Sequence, residues 1–229
     1  MGRNAKRELY NFVEKLRNAL NINQYPINTV DILANDDTTD LYFRDFNTVG
    51  MCGTALLGSK VDTVVLNSRR DICEQNFDGS HEIIHLAKHR DENVQFFNCF
   101  EKTHPKQNLY LEWEANEGGA ELVMPYRDFF PIIKSNYRNI STSSDIKLLR
   151  LELAQRYHVT KSVVEVRLES LKYELYQYLS GVDIEDIEFL SNTMQRKKGI
   201  QVSSLNDLER ELFEIELRQW AQKKKRPLY

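Results

Sequence analysis

Two histidines four residues apart enclose a glutamate in the run His81-Glu82-Ile83-Ile84-His85. On a helix, residues four apart lie one turn above each other, so both imidazoles can bind one metal ion, and Glu82 points to where that ion would hold a water. Such a run rarely arises by chance at average residue usage. Imidazole and carboxylate ligands with one open position match catalytic Zn2+, and no Cys-x-x-Cys pair suggests thiolate ligation instead. The arrangement in which a third histidine follows beyond a glycine turn is excluded, because the chain continues as Leu86-Ala87-Lys88-His89. His89 lies two turns from His81, about 12 Å along the axis at 1.5 Å per residue, too far to bind the same ion while the helix persists. It reads as a surface histidine or as one that supports a ligand.

A carboxylate from a downstream helix is the other source of a third ligand. Residues 108–124 read as a helix stopped by Pro125. Tyr110, Glu114, Glu117, Gly118 and Glu121 fall on one face of it, while Trp113, Ala120, Val123 and Met124 fall on the other. Glu112 is placed on the far side, and spacing alone does not choose among Glu114, Glu117 and Glu121. Gly118-Gly119 costs about 1 kcal/mol per glycine relative to alanine inside a helix, which close approach of another element would compensate.

Other elements must position these groups. Leu9, Phe12, Val13, Leu16 and Leu20 recur at three and four, predicting an amphipathic helix over residues 6–20, and a short second helix is expected over 29–34. Short runs rich in β-branched and aromatic residues, 41–46, 54–57 and 61–66, are separated by Gly50, Gly53 and Gly58-Ser59-Lys60 and predict a three-stranded antiparallel meander. The motif helix is expected from about Gly79 to Lys88, capped by Asp78 or Ser80, with His81, His85, Lys88 and His89 on one side and Ile83, Leu86 and Ala87 on the other. Residues 91–107 read as an irregular connection overhanging the site. Beyond a boundary loosely around Asn136 to Ser144, two helices flank the turn-like His158-Val159-Thr160 with the spacing of a helix-turn-helix, and a last helix ends in Lys223-Lys224-Lys225-Arg226. The division expected is therefore residues 1–140 for the metal-binding domain and 141–229 for a helical C-terminal region.

Composition narrows the setting. The 229 residues suffice for one large domain or two small ones. A net charge of −3 gives no global bias toward nucleic acid or membranes. Three cysteines, Cys52, Cys73 and Cys99, fit a reducing compartment better than a disulfide framework. Met1 to Lys15 carries charges throughout rather than an apolar leader, and no stretch approaches the ~18 apolar residues of a membrane span, so a cytoplasmic protein is expected.

Asn67-Ser68-Arg69, then Phe77-x-x-x-His81-Glu82-x-x-His85, then Glu112-x-Glu114-Ala115-Asn116 running into Leu122-Val123-Met124-Pro125, resembles the ImmA/IrrE family of metallo-endopeptidases. Leu153-Ala154-x-x-Tyr157-x-Val159-Thr160 and Arg167-Leu168 are similar to that family's downstream helical segment, so the resemblance covers about residues 6–171. It implies an α+β fold, a zincin-like core of a small antiparallel sheet and active-site helices followed by a helical, helix-turn-helix-like C-terminal region. It also implies that Glu114, the glutamate before Ala-Asn, joins His81 and His85 on Zn2+, with Mn2+ as a substitute, and that Glu82 is the catalytic proton acceptor. The chain departs from the family where Gly118-Gly119 replaces the usual Phe-Ala.

The activity implied is site-specific peptide hydrolysis without a covalent intermediate, Glu82 taking a proton from water and passing it to the leaving amine. Tyr110, His104, Tyr126 and His158 are candidate oxyanion donors. The resemblance further implies a partner: a helix-turn-helix repressor, cleaved or inactivated to release mobile-element, prophage or stress-response genes. The competing reading is a regulatory protein acting by contact with a repressor or DNA. Against direct DNA binding, the second helix of the helix-turn-helix-like segment mixes Lys161 and Arg167 with Glu165 and Glu169.

Overall fold

The computed structural model describes residues 5–90, 94–102, 104–105 and 107–224. The fold is α+β, and the chain groups into two compact units, one of Met1–Pro125 with Arg156–Thr160, the other of Tyr126–Gln155 with Lys161–Tyr229. The first break thus falls earlier than the expected region around 136–144.

In the first unit, helix α1 (Ala5–Ala19) buries Leu9, Tyr10 and Val13, and α2 (Thr29–Ala34) is capped by Asn28, whose side chain accepts from the amides of Val30 and Asp31. Strands β1 (Thr39–Arg44), β2 (Met51–Leu56) and β3 (Asp62–Asn67) precede helix α3 (Ile72–Lys88), which is followed by β4 (Phe96–Phe100) and helix α4 (Leu109–Val123). The sheet order is β1-β3-β2-β4. β2 is antiparallel to both β3 and β4, but β1 runs parallel to β3, from Thr39 beside Asp62 to Arg44 beside Asn67.

The expected meander is therefore corrected twice. β1 does not pair with its sequence neighbour β2, because β3 lies between them. The stretch read as an irregular connection supplies a fourth strand, its alternation hidden by the run Phe96-Phe97, of which Phe96 is exposed and Phe97 buried. Its Asp91 to Asn93 portion lies outside the described residues. Val64, Leu66 and Ala55 are fully buried, so the sheet's inner face forms the core on which α3 rests.

The second unit is helical: α5 (Tyr126–Tyr137), α6 (Ser143–Tyr157), α7 (Lys161–Ser170), α8 (Lys172–Leu179), α9 (Asn192–Lys197) and α10 (Leu205–Lys224). The turn expected at His158-Val159-Thr160 separates α6 from α7, and His158 adopts a φ of 53°. Arg167 is 1% exposed, and Arg150 pairs with Glu165 at 2.8 Å. A cation counted toward a nucleic-acid face is thus internal. No helix among the described residues is long and apolar enough to cross a membrane. The end of the basic tail, Lys225 and Arg226, lies outside the described residues.

Candidate metal centre

The helix that carries the histidines begins earlier than expected. Asp71 accepts from the Glu74 amide at 2.9 Å and the Glu74 carboxylate accepts from the Asp71 amide at 2.9 Å, a reciprocal capping box that starts α3 at Ile72. Asp78 and Ser80, the caps expected from sequence, lie inside the helix instead. Asp78 is paired with Arg70 at 2.6 Å, and the Ser80 hydroxyl donates to the Phe77 carbonyl at 2.6 Å. The signal Asp71-x-x-Glu74 was legible, but Gly79 looked like a boundary. Nor is the histidine-bearing side of α3 open, whereas Ala87 on the side expected to pack is exposed. His81, Glu82, His85 and His89 are all buried, because the sheet covers one flank and α4 the other.

His81 Nε2 and His85 Nε2 face each other at 3.0 Å. Glu112 brings one oxygen to 3.5 Å from His81 Nε2 and the other to 3.8 Å from His85 Nε2. Burial pushes His81 down to about 4 against the opposing bond to Asn116, and pushes His85 further down, helped by the neighbouring His81 and His89. Both rings are therefore neutral near pH 7 and can offer lone pairs. His81 Nδ1 lies 3.1 Å from Asn116 Oδ1, an oxygen that only accepts, so the proton sits on Nδ1 and leaves Nε2 bare. Phe97 of β4 stacks on His85, ring centres 4.2 Å apart.

Glu82 is fully buried and neither carboxylate oxygen has a hydrogen-bond partner. Its pKa is raised well above the ordinary value by burial and then by the charges of Asp78, Glu112 and Cys52. Gly53 makes room for it: a Cβ there would stand 2.9 Å from Glu82 Oε1. A buried carboxylate left without a donor is costly unless water or a cation completes it. Two imidazole nitrogens, a carboxylate within 4.8 Å of both and an orphaned acid beside them fit a three-ligand divalent metal site of the kind zinc prefers. Cys99 also lies near His81 and Glu82, and Cys52, Asp78 and Cys99 form a further buried group, where Arg70 already supplies a cation to Asp78.

Glu114, the residue expected to join the histidines, is engaged elsewhere. Its oxygens lie 3.0 Å from Lys88 Nζ and 3.2 Å from His89 Nε2. Burial pushes its pKa up, but the bonds from His89 and Lys88 outweigh this and hold it below the ordinary value. The difference in placement has a simple cause in helix geometry. A Cβ on Gly118 would touch the Ile84 side chain at 3.2–3.3 Å, and one on Gly119 would meet Ser80 Oγ at 2.9 Å and the His81 nitrogen at 3.1 Å, so the glycine pair is where α4 lies against α3. Glu112 and Glu114 are about 200° apart on α4 and stand on opposite flanks of that seam. The usable signals were Asn116, four residues after Glu112, and Gly119, seven after it. Grouping by charge alone put Glu114, rather than Glu112, on the side of His81 and His85.

The remaining candidates are scattered. Glu117 accepts from the Tyr10 hydroxyl, and Glu121 is buried. Tyr110 is 45% exposed on the first turn of α4, His104 stacks on Phe100, and the His158 carbonyl accepts from Asn76 at 2.9 Å. Tyr126 belongs to the second unit.

Residues 31–169 match the Peptidase_M78 model, described as an IrrE N-terminal-like domain, a span that contains both α3 and α4. Among curated proteins, none matches the sequence. A solved Mycobacterium tuberculosis transcriptional regulator is similar at 13% identity and a TM-score of 0.47, over 72% of this chain and 47% of that one. The chain thus spans about half the length of that structure.

Proposed function

The chain belongs to the Peptidase_M78 family, and on that premise we propose that it is a zinc-dependent, site-specific endopeptidase whose substrate is a helix-turn-helix repressor. Membership gives the chain a metallopeptidase-type role; the zinc, the residues and the substrate are the proposal. The observation that carries it is the convergence of His81 Nε2, His85 Nε2 and Glu112 at 3.0–3.8 Å beside the orphaned Glu82.

In this reading His81, His85 and Glu112 hold the ion, Glu112 taking the part first assigned to Glu114. A divalent cation there supplies Lewis-acid polarisation of a peptide carbonyl and lowers the pKa of water. The protein's own residues do the rest. Glu82 accepts the proton of the attacking water at its carboxylate and returns it to the departing amine nitrogen, a transfer suited to an acid whose environment favours the protonated form. Asn116 keeps the His81 proton on Nδ1, away from the ion. β4 is an edge of the sheet, and its Phe97 lies against His85, so an extended substrate pairing along β4 would be carried past the ligands.

The test is a cleavage reaction. Purified protein loaded with Zn2+ or Mn2+ is mixed with the product of a neighbouring small repressor gene and followed by intact-mass spectrometry. One cut is expected, and Glu82→Gln should abolish it on the time scale of the wild-type reaction while metal stays bound. An intact repressor in the wild-type reaction, with metal verified in the site, counts against the substrate assignment.

A further inference from the structure

One turn beyond His85, the buried His89 continues the row of imidazoles. His89 Nδ1 is 2.8 Å from His85 Nδ1, and its Nε2 is 3.2 Å from Glu114 Oε2, whose sister oxygen is held by Lys88 at 3.0 Å. Proton positions along this row follow from the outer end. An ionised carboxylate only accepts, so His89 carries its proton on Nε2. Where His89 carries that one N–H alone, its Nδ1 accepts. His85 must then donate from Nδ1, which leaves His85 Nε2 as a bare lone pair facing His81 Nε2. The same state is imposed on His81 more briefly, by Asn116.

We propose that His89 and Glu114 are positioning residues for the metal centre: a buried carboxylate–histidine relay that fixes the tautomer and ring orientation of His85. This rests on His85 being a metal ligand, as proposed above. The relay explains why a fully buried third histidine stands where it cannot reach the ion, and why a second glutamate of α4 is turned to the opposite flank. Phe97 limits the His85 ring from its face while the relay limits it from its edge. Outer partners of this kind typically change metal affinity about 10–100-fold when removed.

The wild-type protein gives the first test without any substitution. In long-range 1H–15N spectra of the metal-free protein at neutral pH, His85 should be the Nδ1–H tautomer and His89 the Nε2–H tautomer; His85 found as Nε2–H overturns the proposal. The second test is Glu114→Gln, which keeps the volume but lets the amide donate to His89 and reverse the row. The His85 Nε2–H form should then appear, and Zn2+ affinity, measured by competition with a chromophoric chelator, should fall about 10–100-fold. His89→Gln should weaken Zn2+ in the same range. Unchanged affinity and tautomer in Glu114→Gln refute the relay. Glu112→Gln separates the two readings: if it leaves Zn2+ affinity unaltered, the ligand assignment itself fails, whereas if it alone removes the metal, the ligands stand and the relay falls.

Discussion

Gly119→Ala tests whether the closeness of two helices sets the geometry of the centre. The added Cβ would stand 2.9 Å from Ser80 Oγ, 3.1 Å from the His81 nitrogen and 3.2 Å from the Ser80 carbonyl carbon, where ordinary contact begins at 3.4 Å. Two of those atoms are backbone and cannot rotate away. Helix α4 must therefore retreat by roughly 0.3 Å or tilt about the contact, a shift comparable with the ~0.5 Å tolerance of a working site. Crowding of this kind costs about 1–3 kcal/mol, while replacing a helical glycine returns about 1 kcal/mol. The net loss of stability is thus about 0–2 kcal/mol, yet Glu112 and Asn116, borne by the same helix, both move from the histidines. Zn2+ affinity should fall by about tenfold or more. Gly118→Ala is the matched comparison, because its Cβ would meet only side-chain atoms, those of Ile84 at 3.2–3.3 Å, and no backbone of α3. Chelator competition and thermal melting of the metal-free proteins read both quantities. If Gly119→Ala binds Zn2+ as tightly as wild type and melts no lower than Gly118→Ala, the closeness of the helices does not set the centre.

Four further outcomes are expected. Glu82→Gln should retain stoichiometric metal by elemental analysis and lower the cleavage rate about 10²–10⁴-fold, the usual contribution of a general base; equal loss of metal would make Glu82 a ligand instead. Burial raises Glu112 to about 7, whereas His81 stays neutral down to about 4, so Zn2+ affinity should drop about tenfold per pH unit below 7 with a slope of one proton in buffered titrations down to about pH 5; a slope of two or more would mean that the histidines titrate there. By the same sign, a carboxyl raised from 4.5 to about 7 makes the metal-free protein less stable as pH rises from the lower value to the higher, and added Zn2+ should reverse that trend in melting curves. Asp71→Ala removes the capping box of α3 and should cost about 0.5–2 kcal/mol in chemical denaturation, with Zn2+ affinity changing little once the protein is folded.

The groups that were legible in the sequence are those whose spacing repeats within one helix. His81 and His85 meet because four residues make one turn, and the helices over 5–19, 29–34 and 109–123 declared themselves by periodicity and by Pro125. What escaped depends on partners distant in the chain. β1 and β3 pair in parallel across an intervening β2, and nothing in residues 39–44 announces which neighbour they will take. β4 was hidden because two adjacent phenylalanines break the alternation a half-buried strand should show. The choice between Glu112 and Glu114 turned on which edge of α4 meets α3. That edge is marked by the absence of side chains at Gly118 and Gly119, a feature that charge-based grouping overlooks.

The capping box at Asp71 and Glu74 places the histidines unevenly along their helix. His81 stands about two and a half turns from the start of α3, so fraying of the first turn leaves it undisturbed. His85 sits in the last turn, where helices open most readily, and His89 is the residue at which the helix ends. That end is held from outside, by Glu114 gripping Lys88 and His89 together. Amide hydrogen exchange should therefore be slow at His81 by virtue of position and slow at His89 only by virtue of α4. Loosening α4 would release the second histidine before the first, giving the centre a weak side and a strong one.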